Sequence, residues 1–241
     1  MAKIPKTPSE IFGEFTDDFK RIFETDLTAI ILYGSGAKGD YVHKKSDINF
    51  MIVLTEPGIH NLFLTFDVLK KWRKRAVSTP LFLTKEYIES SLDSFPLEFW
   101  EMKKFHQIVY GDDVLKKIEI SRSDLRLQCE REVKGKLLHL QQNFLNSEKK
   151  PHRLRALLVL SIPTFGTLFN ALLYLKNEVS PNSRKEIFVN TAGVFGLDQQ
   201  VFETILKLRY ENLKLKSDAL LKLTQSYIEE IRKLSQFADK L

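Results

Sequence analysis

The stretch 33-YGSGAKGDYVHKKSDINF-50 joins two apolar, β-prone runs. Leu27 to Tyr33 reads LTAIILY and stops at Gly34, while Ile48 to Leu54 reads INFMIVL and stops at the turn residues Glu56-Pro57-Gly58. Apolar runs without alternation fit strands covered on both faces. Between them, glycines at 34 and 36 let the backbone approach a bulky anion, and the amides of such a turn can point at phosphate oxygens. Ser35 adds a hydroxyl there and Lys38 an ammonium. A dozen residues after Ser35, Asp47 opens the second strand. Strand side chains alternate, so Asp47 and Asn49 share one face while Ile48 and Phe50 share the other. Two oxygen donors beside a phosphate cradle form a pattern that suits a nucleotide-bound Mg²⁺.

Around this stretch the chain alternates helix and strand. Ile11, Phe15, Phe19 and Ile22 fall on one helical face, with Ser9 as N-cap. Helical sequence is expected over Asn61–Arg75 and Lys85–Leu92, with further strands at Thr79–Thr84 and Phe105–Tyr110. From about Ser121 the pattern becomes wholly helical. Leu125, Cys129, Val133, Leu137, Leu140 and Phe144 form one stripe; Leu220, Leu223, Tyr227, Ile231, Leu234 and Ala238 form another. Shorter helices are expected over Lys185–Phe195 and Val201–Arg209. The expectation is an α+β chain: a small mixed-sheet domain at 1–118 and an all-α helical bundle at 119–241.

GSGAKG followed by SDIN resembles the signature of the DNA-polymerase-β-like nucleotidyltransferase superfamily. Its pattern is Gly-Ser with a small residue and a glycine nearby, then Ser-Asp-x-Asp on the next strand. The likeness covers roughly Leu27 to Leu54, and a helical C-terminal domain is common in that superfamily. It implies that Gly34, Ser35, Gly36 and Lys38 hold a nucleoside triphosphate and that Asp47 binds Mg²⁺ or Mn²⁺. Members transfer a nucleoside monophosphate to an acceptor and release pyrophosphate. The chain departs from the pattern twice. Asn49 stands where the second Asp belongs, offering an amide oxygen without charge. The run VSTPLFLT, where the third carboxylate is expected, holds no Asp or Glu. Glu98, in FPLEFWEM, is the remaining candidate for that third metal ligand, against its plainer reading as a solvated or helix-capping residue.

Other residues read more plainly. Asp40 and His43 lie on the loop inside the signature, open both to substrate contact and to solvation. The histidines at 43, 60, 106, 139 and 152 lack ligand spacing, which argues against zinc. Cys129, the single cysteine, excludes an internal disulfide, suits a reducing cytoplasm, and falls on an apolar stripe as a core residue. Arg122, Arg126, Arg131 and Lys134 read either as an attractor for an acidic acceptor or as an exposed helix face. The net charge of +6 mildly favours anionic partners, but no concentrated basic arm argues for DNA binding. The opening MAKIPKTPSEIFGEF carries no apolar run before a cleavage site, so a secretory leader is not expected. Ala156–Leu175 is uncharged over a membrane-spanning length, yet Ser161, Pro163, Thr164, Gly166, Thr167 and Asn170 dilute it. It reads as a buried central helix kinked at Pro163, not a membrane span.

Three functional readings follow. One is a Mg²⁺-dependent nucleotidyltransferase with Asp47 and Asn49 as catalytic metal ligands, acting on a small-molecule, protein or RNA acceptor. The second is a catalytically inactive nucleotide-binding or protein-partner module of the same fold, of the antitoxin or regulatory kind. The third is a purely structural or interaction module in which the Gly-Ser turn is a relic. The 156–175 helix offers a homo-oligomer interface if the bundle leaves it uncovered.

Overall fold

The computed structural model describes residues 3–179, 181 and 183–241. It divides into two compact units, Met1–Ile120 and Ser121–Leu241. In the first, α1 (Phe12–Phe23) leads into β1 (Leu27–Tyr33), a single-turn α2 (Ser35–Lys38) and β2 (Asn49–Leu54). A short α3 (Glu56–Ile59) and α4 (Phe66–Arg73) precede β3 (Leu81–Thr84). Then come α5 (Lys85–Ser90), α6 (Pro96–Lys104) and β4 (His106–Gly111). The sheet order is β3-β2-β1-β4. β1 pairs antiparallel with both β2 and β4, and β2 pairs parallel with β3, so the sheet is mixed.

The apolar runs of β1 and β2 are explained by burial on both sides. One face packs Ile30, Leu32, Phe50 and Ile52 against Phe15 and Phe19 of α1 and Trp72 of α4. The opposite face packs Ala29, Ile31, Met51 and Val53 against Ile88, Phe99, Leu115 and Ile118. Phe15 anchors the first layer: its ring stacks on Phe50 at 4.1 Å and meets Trp72 edge-on at 5.1 Å. The buried Asp18 beside it accepts from the Trp72 indole Nε1 at 2.9 Å, from Lys71 at 2.6 Å and from Arg21 at 2.5 Å. A buried carboxylate is tolerable when its charge and lone pairs are matched in this way.

The second unit contains α7 (Arg122–Asn146), α8 (Pro151–Leu175), α9 (Arg184–Val194), α10 (Gln199–Tyr210) and α11 (Ser217–Ala238). Ser121, Ser183 and Asp198 cap α7, α9 and α10 through side-chain oxygens that accept a first-turn N–H. α8 is long and apolar enough to cross a membrane, but as the core helix of this unit it buries Leu158, Phe165, Phe169 and Leu172 among its neighbours. The helix runs on through Pro163. Cys129 is fully buried on α7, on the face that also buries Leu125 and Val133. The α+β expectation of a small mixed sheet and a helical C-terminal half is met. The string FPLEFWEM, left unassigned from sequence, forms α6, with Pro96 in its first turn.

Candidate functional site

The two halves of the signature meet at the end of β1. Strand pairing sets Tyr33 opposite Asn49 on one side and His106 on the other. Gly34 follows with φ 70° and ψ −148°, a region that is essentially glycine-only. A Cβ placed at Gly34 would lie 3.1 Å from Asn49 Nδ2, so the turn backbone passes directly over the Asn49 side chain. α2 then begins at Ser35, and the Ala37 and Lys38 amides both donate to the Gly34 carbonyl. This leaves the Ser35 and Gly36 N–H groups ahead of the first intrahelical bond.

Asp47 lies two residues before β2 and not within it; the strand begins at Asn49. Ile48 between them is pinned by the Ile48 N–H to Ala76 carbonyl bond (2.8 Å) and by Ser78 N–H to its own carbonyl (3.0 Å). Ile48 and Phe50 point into the α1-side core, which turns Asp47 and Asn49 to the other face. Asp47 is exposed and Asn49 half-buried. Tyr33, on the same face, is half-buried, and burial pushes its phenol pKa up.

Lys38 is the residue whose surroundings differ most from the sequence reading. Its ammonium forms an ion pair with Glu101 of α6, and it lies 5.4 Å from the Phe105 ring centre. Lys104 Nζ lies 5.2 Å from the same ring and 5.1 Å from Trp100. Partial burial, and then the Lys38 charge, push the Lys104 ammonium pKa down. Glu98 sits exposed in the first turn of α6, one turn before Glu101. Glu101 escaped the sequence reading because α6 itself did. A helix started by Pro96 would have paired Glu98 with Glu101 at i, i+3 spacing.

Among the described residues no group of three or more His, Cys, Asp or Glu side chains converges as a metal site. His43 Nδ1 contacts the Pro5 carbonyl at 2.9 Å, and His106 lies between the Lys103 carbonyl and Asp113 at 3.1 Å each. In the helical unit, Arg122 donates to the Leu175 carbonyl, Arg126 pairs with Glu130, and Lys134 pairs with Glu130 and Asp239. These contacts spend on the bundle much of the charge read from sequence as an acceptor attractor. A cavity of about 630 Å³ between α7 and α8 has Lys136 and Arg153 at its wall, paired with Glu132 and Glu148.

No protein-family model matches the chain, and no curated protein matches it. Among solved structures, spectinomycin adenyltransferase AAD(9) from Enterococcus faecialis, with ATP and spectinomycin, is similar at 12% identity and a TM-score of 0.49. The match covers 91% of this chain and 99% of that one, at a similarity too low to bear on chemistry.

Proposed function

We propose that residues 1–118 are a nucleotidyltransferase-like domain that binds a nucleoside triphosphate with Mg²⁺ or Mn²⁺, and that residues 119–241 are its helical companion domain. Gly34, Ser35, Gly36 and Lys38 would hold the phosphates, and Asp47 and Asn49 the metal. The observation that carries this reading is the contact of the Gly34 turn with Asn49. It brings a glycine-only anion turn against the strand end that follows Asp47.

The donor set fits a metal carried in on a triphosphate and does not fit a bare ion. Mg²⁺ keeps several waters and is commonly held by one or two carboxylates plus substrate phosphates. Asp47 supplies one charge and Asn49 only an amide oxygen. A bound ion would offset phosphate charge; Asp47 and Asn49 would orient it, and the glycine turn would fix the triphosphate. Nucleotide binding without efficient transfer is the form that these residues support best, because Asn49 removes one carboxylate from the metal face and Glu98 stands exposed on α6. The setting is proposed as cytoplasmic. Transfer to a small-molecule, protein or RNA acceptor is the further step of the same reading, and self-association through α8 would require its buried core face to be uncovered.

A thermal-shift panel of the four NTPs with and without Mg²⁺ or Mn²⁺ tests this proposal. Stabilisation is expected with NTP and metal together; at saturation about a hundred times above Kd it amounts to ~2.7 kcal/mol. Asp47→Ala should remove the metal-dependent part. No shift with any nucleotide and metal rejects the proposal. Asn49→Asp should tighten metal–nucleotide binding about ten- to a hundredfold, the range of one added charge-assisted contact. Unchanged metal dependence in Asn49→Asp would show that position 49 is not a ligand.

A further inference from the structure

We propose that the turn Leu62–Thr65 and the helix α4 after it form a docking surface for an anionic phospholipid bilayer. Phe63, Leu64 and Phe66 enter the acyl boundary, and Lys70, Arg73 and Lys74 meet the headgroup phosphates. This surface shares no residue with the glycine turn or with Asp47 and Asn49, and the protein stays peripheral to the bilayer.

The turn reverses the usual order of polarity. Thr65 is 1% exposed, while Phe63, Leu64 and Phe66 around it are 59%, 50% and 72% exposed. Local bonds hold it that way. The Thr65 hydroxyl donates to the Leu62 carbonyl at 2.7 Å, and the Leu64 amide donates to the Asn61 carbonyl at 3.1 Å. Leu62, Val68 and Leu69 pack on the α1-side core that contains Trp72, so the inward positions are already filled. Phe63, Leu64 and Phe66 thus stand outward on a turn fixed from within. A chain that sets a threonine inside and two phenylalanines outside forgoes the burial of both rings, a loss that a covering apolar layer restores. Exposed apolar side chains gathered at one place mark protein or membrane contact.

Charge decides between the two. Asp67 is the one carboxylate of α4, and cations follow it at Lys70, Lys71, Arg73, Lys74 and Arg75. Glu14 pairs with Lys71 and Arg75, and Asp18 also takes Lys71. Lys70, Arg73 and Lys74 are exposed, and among the described residues none forms an ion pair or side-chain hydrogen bond with them. They follow Phe66 at i+4, i+7 and i+8, the spacing of one helical side. Apolar side chains at the start of a helix, with cations along the same side, compose an interfacial anchor. An anionic bilayer satisfies both parts together: its acyl boundary yields to the projecting side chains, and its phosphates answer the cations. A protein partner would need a fitted cavity for three projecting side chains, ringed by carboxylates. The bilayer needs no such fit.

The test is sedimentation of the full chain with sucrose-loaded vesicles at low salt. One set holds phosphatidylglycerol and phosphatidylcholine in equal parts, the other phosphatidylcholine alone. Binding is expected to the anionic vesicles only, and it should fall as salt rises. Phe66→Ser should weaken it about tenfold, and adding Phe63→Ser should weaken it further. Lys70→Gln and Lys74→Gln should each cost about fivefold, the ~1 kcal/mol of one basic side chain at an anionic surface. Asp67→Asn should tighten binding severalfold by removing the carboxylate nearest the inserted rings. Melting curves of the Phe66, Lys70 and Lys74 variants should match the native chain, since these side chains are exposed. Absence of binding to anionic vesicles, or equal binding to both sets, overturns the surface. So does binding that ignores Phe66→Ser or Lys70→Gln. Capture of polyglutamate or an oligonucleotide with no vesicle binding overturns the membrane and gives the patch to an acidic macromolecule.

Discussion

Gly111→Ala is expected to unfold the N-terminal unit or leave it with little residual stability. Gly111 ends β4 with φ 74°, opposite Ala29 of β1. A Cβ there would lie 2.0 Å from the Thr28 carbonyl oxygen, 3.0 Å from the Thr28 carbonyl carbon and 3.1 Å from Ala29 Cα. All three atoms are backbone, so no rotamer change relieves the clash; β4 must pull away from β1 at the edge of the sheet. The positive φ adds strain of order 1–3 kcal/mol, and a forced backbone shift takes the total into the exceptional range above about 4 kcal/mol. Both tryptophans, Trp72 and Trp100, lie in this unit. Urea unfolding followed by their fluorescence therefore reads it directly. Gly13→Ala is the internal control. Its added Cβ meets no atom within 4 Å, and alanine replaces glycine inside α1, which should stabilise by roughly 0.5–1 kcal/mol. A Gly111→Ala midpoint equal to that of the native chain would contradict the close approach of β4 to β1.

Gly34→Ala is expected to abolish nucleotide-induced stabilisation while leaving a folded protein. Its φ and ψ of 70° and −148° lie where a side chain costs of order 1–3 kcal/mol. The new methyl would also press on Asn49 Nδ2 at 3.1 Å. Here, unlike at Gly111, the neighbour is a side chain that can move, so the fold survives and the site does not. The backbone can relax only by rotating the Gly34–Ser35 peptide, which withdraws the turn from an anion. Thermal shift with ATP and metal measures the effect. Full nucleotide stabilisation in Gly34→Ala would mean that the turn does not contact phosphate. Pairing it with Asn49→Ala isolates the steric part: removing that side chain should restore some stability, whereas the cost of the positive φ at position 34 remains.

Much of the fold was legible along the chain because its determinants are local. The runs LTAIILY and INFMIVL lie with both faces covered, and the stripes through Leu125, Cys129 and Val133 and through Tyr227, Ile231 and Leu234 are buried. Periodicity is a property of neighbouring residues, so it survives without knowledge of the fold. Its edges blur where tertiary bonds intervene. Asp47 was expected to open β2, yet the paired strand starts at Asn49, because Ile48 is held by the segment around Ala76 and Ser78. On α11 the stripe widens to bury Thr224 and Glu230, the latter matched by the Asp198 amide and Lys233.

The amino-acid sequence by itself determined a two-part α+β chain and a glycine turn leading to one carboxylate, Asp47, with a neutral Asn49 beyond it. These follow from residue type and spacing alone. The tertiary structure decided which distant groups join that turn. It set β4 beside β1, so that His106 flanks Tyr33, and it carried α6 onto the sheet so that Glu101, not Glu98, reaches Lys38, with Lys104 at the same ring. Strand order and helix docking depend on contacts between residues far apart in sequence, and no local pattern records which of several carboxylates on a helix will face a lysine more than sixty residues away.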